Sequence, residues 1–257
     1  MTSDWLDAAT GAAVRAVAPH LGDVAVGSAG DDLGRWRPSG GVWSSAVARR
    51  LAATARMPAP ELAALLAERL RASTGVGAVE VSAEGFLAVT PRAAQLARTV
   101  ASVRAAGPAY GRPAWPVSAL SVDPTVPQRR TPDNPLFVVM WAHARCSVAL
   151  DRGRTDALSA GIETVPPTGP ALVLLLADFP RAVATAGDDP AAVLRRLHEV
   201  AAVTHRWLDE LDAPTSPDGL PASDAPDAPD APDAPDAAGP GRRPLIEAAR
   251  QVLATGL

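Results

Sequence analysis

Proline is placed along this chain so that regular structure is confined to three stretches. Between residues 107 and 133, six prolines (Pro108, Pro113, Pro116, Pro124, Pro127 and Pro132) leave little room for a helix or a paired strand. A second interruption, residues 212–241, carries an Ala-Pro-Asp unit in which Pro226, Pro229, Pro232 and Pro235 alternate with Asp227, Asp230, Asp233 and Asp236. Regular proline blocks both helix and ladder, and repelling carboxylates without apolar neighbours gain nothing by collapsing, so this segment is expected to stay unfolded. The chain divides accordingly into residues 1–106, a linker at 107–133, and residues 134–257 with the acidic insertion inside them.

Within the first unit, residues 44–56 and 60–73 show helical spacing of Ala, Val and Leu, the second with Glu61 in its opening turn. Residues 76–81 and 86–89 alternate with β-rich side chains around Ser82-Ala83-Glu84-Gly85, which predicts a hairpin. Thr90 as cap and Pro91 at the first helical position predict a helix running to about Ala106, where Gly107-Pro108 stops it. This unit reads as α+β. In the last unit the signals are helical only. Asn134-Pro135 opens a helix through Leu150 that ends near Gly153, and residues 172–177 and 180–186 suggest two shorter ones. Residues 190–211 place Val193, Leu194, Leu197, Val200, Ala201, Thr204, Leu208 and Leu211 on one stripe, which leaves Arg206 and Trp207 toward the outside. Residues 244–254 close an all-α bundle. The fold class is thus mixed, a small α+β unit followed by a helical bundle.

The 24 basic residues are all Arg, so no Lys is present to act as Schiff base or phosphate clamp, and a P-loop is excluded. One Cys and four scattered His offer no disulfide and no structural metal site, and no cofactor motif is present. The opening residues have neither a basic nor an apolar leader region, and the longest apolar run, residues 171–177, is too short to span a bilayer, so the expected compartment is the cytoplasm. The formal charge is −4, but residues 212–241 hold seven Asp and no Arg. The remainder carries 21 acids against 24 Arg, about +3, which leaves an anionic partner open.

The last unit resembles the DALR anticodon-binding domain of the class I arginyl-tRNA synthetases. The resemblance lies in Asn134-Pro135-Leu136-Phe137-Val138-Val139-Met140-Trp141-Ala142-His143-Ala144-Arg145, then in residues 175–180, 199–207 and 249–257, in that order. The first unit is similar to the extra N-terminal domain of the same enzymes, through Gly41-Val42-Trp43-Ser44-Ser45-Ala46-Val47-Ala48, Gly85-Phe86-Leu87-Ala88-Val89 and the helix that follows. Some twenty residues between Gly111 and Asp133 stand where the family carries its nucleotide-binding catalytic domain, and neither a His-x-Gly-His motif nor a Lys-rich loop occurs.

The resemblance implies a tRNA-binding, non-catalytic paralogue that holds tRNA, arginine-specific tRNA first among the candidates, with no DNA and no membrane partner. It implies that Phe86 either stacks on a D-loop base or packs in the hairpin, and that Ala88 lacks the amide with which the family reads that base. Trp43 joins these candidates in the first unit. His205, Arg206 and Trp207 fall where the family approaches the anticodon loop, with Arg242 and Arg243 beside the acidic insertion, which is placed to compete with RNA for these arginines. Asn134, Pro135, Ala142, His143, Ala144 and Arg145 form the family signature and are read as structural. Val138 and Met140 replace polar residues that face the catalytic domain in the family, so the apolar surface there is free to meet the first unit or a second copy. Two other readings compete: a protein-interaction module or homodimer that reuses the fold without RNA, and an accessory part of an arginine-tRNA ligase whose catalysis is supplied elsewhere.

Overall fold

The computed structural model describes residues 4–17, 36–113, 130–151, 168–212 and 242–255. The Ala-Pro-Asp repeat and most of the linker lie outside the described residues. The first unit holds α1 (Asp4–Val17), β1 (Arg37–Ser39), β2 (Val42–Ser45), α2 (Val47–Ala55), α3 (Ala59–Arg71), β3 (Val76–Val81), β4 (Leu87–Pro91) and α4 (Ala93–Ala106). The second holds α5 (Pro135–Asp151), α6 (Thr168–Ala186), α7 (Pro190–Asp212) and α8 (Arg242–Ala254). The expected mixture of a small α+β unit and a helical bundle is what the chain forms.

The strands make an antiparallel sheet in the order β1-β2-β4-β3, with α3 packed on β3 and against α1 and α2. The expected hairpin is β3–β4. Val76 and Val79 on one strand and Leu87 and Val89 on the other bury toward the helices. Its turn is held by Ser82, whose Oγ accepts from the backbone N–H of Glu84 and of Phe86 at 3.2 Å each and donates to the Glu84 carboxylate at 2.8 Å. Gly85 has a φ of +81°, and a Cβ there would come within 2.7 Å of the Ala59 carbonyl carbon, so glycine is required at this corner.

Three sequence expectations change. Ser44 and Ser45, expected to open a helix, end strand β2 instead, and β2 pairs with β1 across Gly40-Gly41, whose φ angles of +55° and +92° suit a tight hairpin turn. Thr90 and Pro91 belong to β4, opposite Ala78 and Val76, and α4 starts only at Ala93. The ladder and the Arg92 bonds, from its N–H to the Gly75 carbonyl at 2.8 Å and from Nε to the Val76 carbonyl at 2.9 Å, hold this stretch extended where a cap was expected. Residues 168–186 form the single helix α6 with Pro180 inside it, not two short helices. By length and composition α6 could cross a membrane, yet Leu172, Val173, Leu174, Leu176, Ala177 and Phe179 are buried in the protein core and Asp178 sits midway along it.

The two units dock directly. The first lays α4 on α6 and α8, and β1 and β2 on α6. Tyr110 donates its hydroxyl to the Leu176 carbonyl at 2.8 Å. Gln251 of α8 donates from Nε2 to the Val103 and Gly107 carbonyls at 2.7 and 2.6 Å, which ties α8 to the C-terminal end of α4. Arg104 pairs with Glu247 at 2.6 Å, and Gly111, at φ +65°, lies flat against the Phe179 ring.

Candidate nucleic-acid interface

Strand alternation decides which side chains of the first unit face outward. Leu87 and Val89 point into the core, so Phe86 and Ala88 share the other face of β4. Phe86 is 38% exposed, and the Arg49 guanidinium of α2 sits 4.7 Å from its ring centroid. One side of the ring thus carries a cation while the ring as a whole remains open to a stacking partner. Ala88 lies between Ser44 and Glu80 of the neighbouring strands. The adjacent Glu84 carboxyl is held below its ordinary range, first by the Ser82 hydroxyl. Trp43 is on the opposite side of the sheet: it pairs with Val89 and Pro38 and is only 1% exposed. The structure removes Trp43 from the surface candidates, because β2 alternates inward at that position.

Trp207 is also corrected. It is fully buried, together with Val203, Thr204 and Leu208. α7 packs against α5, α6 and α8 at once, so its apolar stripe is wider than the spacing of Leu and Val alone indicates, and Trp207 falls inside it.

His205 is half-buried and tied to α5. Its Nδ1 lies 3.1 Å from an Arg145 guanidinium nitrogen, its Nε2 lies 3.3 Å from the Val138 carbonyl, and the Trp141 ring packs on it at 4.4 Å. With Arg145 as an obligate donor and Val138 as an acceptor, this geometry selects the neutral imidazole with its proton on Nε2. Burial is the main cause that lowers its pKa, and Arg145 adds to it. His143, on the α8 side, is lowered for the same first reason with Arg250 second. Arg145 spans to α7 as well, reaching Asp209 at 2.8 Å and Asp212 at 3.8 Å. Asn134 accepts from the N–H groups of Leu136 and Phe137 at 3.1 and 3.4 Å ahead of Pro135, and Ala142 is fully buried, whereas Ala144 is exposed. Apart from Ala144, these signature residues start the helix or pack it into the bundle.

Arg206 is exposed beside a recess of about 290 Å³ formed by Pro38, Ser39 and Gly40 of the first unit and Thr168, Leu175 and Val203 of the second. Arg242 is half-buried at the start of α8, and Arg243 pairs with Glu247 at 3.2 Å. A larger cleft, about 640 Å³, lies between β1 and the helices α6 and α7 and was not anticipated from the sequence. Arg37, Arg181, Arg195 and Arg196 converge on it with Asp178, Asp189 and Glu199. Asp178 binds Arg196 at 2.6 Å and Arg181 at 2.5 Å, and Arg181 also donates to the Trp36 carbonyl. The Arg195-Arg196 doublet was the one visible signal for it. Among the described residues no group of carboxylates, imidazoles and thiols is arranged to hold a metal.

The arrangement presents arginines and one exposed aromatic ring, so what it offers a ligand is stacking and charge. The chain is 40% identical over 100 residues to the arginine-tRNA ligase of Clavibacter sepedonicus, and 42% over 93 residues to that of Kineococcus radiotolerans. It is 34% identical over 151 residues to that of Frankia alni. These matches cover 35%, 34% and 54% of this chain but 17%, 17% and 24% of the ligases, so the chain spans about a quarter or less of the relatives it matches. No family model and no solved structure matches it. The chain is an arginyl-tRNA synthetase-related protein, homologous to those ligases over part of its length.

Proposed function

We propose that this protein binds tRNA without charging it, as a paralogue of the arginyl-tRNA synthetases that keeps surfaces for gripping tRNA. The observation that carries the reading is the direct docking of α4 on α6 and α8 in a chain related to arginine-tRNA ligases. The linker between the units holds only residues 107–133, and the chain contains neither a His-x-Gly-His motif nor a Lys. In this reading Phe86 stacks on a base while Arg49 supports its other face, and Arg206 and Arg242 meet phosphates of the same RNA. His205 serves the bundle, because Arg145, Val138 and Trp141 occupy its ring atoms and one face. Trp43 and Trp207 contribute packing only.

The test is filter binding of the full chain to arginine-specific and to total tRNA at two salt concentrations, with an aminoacylation assay on the same preparation. Saturable, salt-sensitive binding without charging is the expected result, since phosphate contacts release counterions. Phe86→Ala should weaken binding by about 1–3 kcal/mol, the range for loss of one stacked base, and leave the melting temperature unchanged. Binding at neither salt would send the search to protein partners, the second reading, which has its own support on α5.

A further inference from the structure

We infer that the outer face of α5 is a self-association surface on which two copies of this chain pair with their α5 helices antiparallel. The inference does not depend on the tRNA reading. Four large apolar side chains stand out as exposed among the described residues, and three of them, Met140, Trp141 and Val148, are on this one helix at 47%, 47% and 43% exposure. With Phe137, which stacks on Trp141 at 6.1 Å, and the exposed Ala144, they recur at intervals of three and four residues and form a continuous stripe. The opposite face of the helix, Val138, Val139, Ala142 and Cys146, is already buried against α7 and α8. The stripe is therefore additional to the surface that the bundle needs. Solvated proteins rarely leave such a patch uncovered.

Of the occupants available, the first unit is spent: it docks through α4, β1 and β2 on α6 and α8. RNA is disfavoured because the stripe has no cation to meet a phosphate. Arg145, the only Arg between Pro135 and Asp151, is committed to Asp209, Asp212 and His205. A second copy fits. Two helices related by a two-fold axis midway between Ala142 and His143 set Trp141 against Ala144 of the second copy and Phe137 against its Val148, a large side chain against a smaller one in each case, with Met140 level with its Arg145. Isologous interfaces require that kind of self-complementarity. Asp151, the next residue along the stripe, then falls at the N-terminal turn of the other α5, where the helix dipole favours a carboxylate. Arg130 and Asp133 flank that turn and offset one another in charge. A contact made by one helix from each copy belongs to the small end of interface sizes, so a concentration-dependent monomer–dimer equilibrium is expected.

Sedimentation equilibrium of the full chain up to about 100 µM tests this. The expected result is a mass rising with concentration from 26.3 kDa toward twice that value. Trp141→Ala leaves a gap and Ala144→Trp a clash, so each should weaken association at least tenfold, while the double variant restores a large-against-small pair and should recover it. Both sites are exposed, and circular dichroism melts confirm that the variants are folded. A wild-type mass that stays at 26.3 kDa, or a double variant no better than the singles, overturns the inference. A monomeric wild type whose tRNA binding falls on Trp141→Ala also overturns it, and shows the stripe to be an RNA platform, an outcome distinct from failure of the tRNA reading.

Discussion

Pro180 has no N–H, so the Leu176 carbonyl one turn earlier in α6 cannot receive its helical bond. The hydroxyl of the chain's single Tyr, Tyr110, fills that place from the start of the linker at 2.8 Å, so one side chain completes a helix and fastens the end of the first unit to the second. Tyr110→Phe keeps the ring and orphans a buried acceptor, and should cost about 1–3 kcal/mol in urea unfolding with little change in the m-value. His143 and His205 set a pH dependence of their own. Burial lowers both below the ordinary 6.5, so the unfolded chain binds the extra protons. Their contribution is whole above about pH 6.5 and is lost as the pH falls through the lowered values, where a protonated His205 would also turn an N–H against Arg145. Thermal melts should fall between pH 7 and pH 5, and His205→Gln should flatten part of that fall; an unchanged slope in the variant would assign the effect elsewhere. At this scale the sequence was least legible for the aromatic residues. Phe86, Trp43 and Trp207 read alike as ring-bearing positions near family motifs, and only strand alternation and the number of helices around α7 separate the exposed ring from the two buried ones.

Among elements, legibility followed length and periodicity. The Asn134-Pro135 start of α5, the stripe of α7 and the β3–β4 hairpin were readable because each repeats its pattern over many residues or carries its own turn chemistry. β1 and β2 were not, since strands of three and four residues, one holding Pro38, are too short to show alternation and take their place from β4. Thr90-Pro91 carried a helix-start signal that the β3 ladder outweighed. The charged clamp at Asp178 lay beyond sequence reasoning for a similar reason: its partners are one turn away on α6, eighteen residues on along α7, and, through Arg181, at Trp36 on the rim of β1. This clamp holds three elements around the larger cleft. Asp178→Ala should destabilise the chain by about 1–3 kcal/mol in denaturant melts, because Arg196, only 15% exposed, would keep only the more exposed Glu199 at 2.6 Å as its counter-charge. Asp178→Asn, which keeps the acceptor oxygen, should cost less, and equal losses in the two variants would mean that packing rather than charge is responsible.

Over the whole molecule the charge is divided between a body with more Arg than acid and an insertion that has only acid. Residues 212–241 carry seven Asp without an Arg, and they join α7, with Arg206 near its end, to α8, which begins at Arg242-Arg243. An RNA that neutralises those arginines must therefore bind against the repulsion of a tethered polyanion, whose local concentration is fixed by the chain and not by the solution. Salt weakens both the attraction to arginine and the repulsion from the repeat, so a brake of this kind is strongest at low ionic strength. Deleting residues 223–239, which removes five of the Asp, should tighten tRNA binding about three- to tenfold in low-salt filter assays and change it little at high salt. The same deletion should lower the sedimenting mass by the residues removed and leave the self-association constant unchanged, because Phe137, Met140, Trp141, Ala144 and Val148 offer the repeat no cation to bind. Equal affinity at low salt with and without the repeat would show that the insertion is neutral toward RNA, whatever its length.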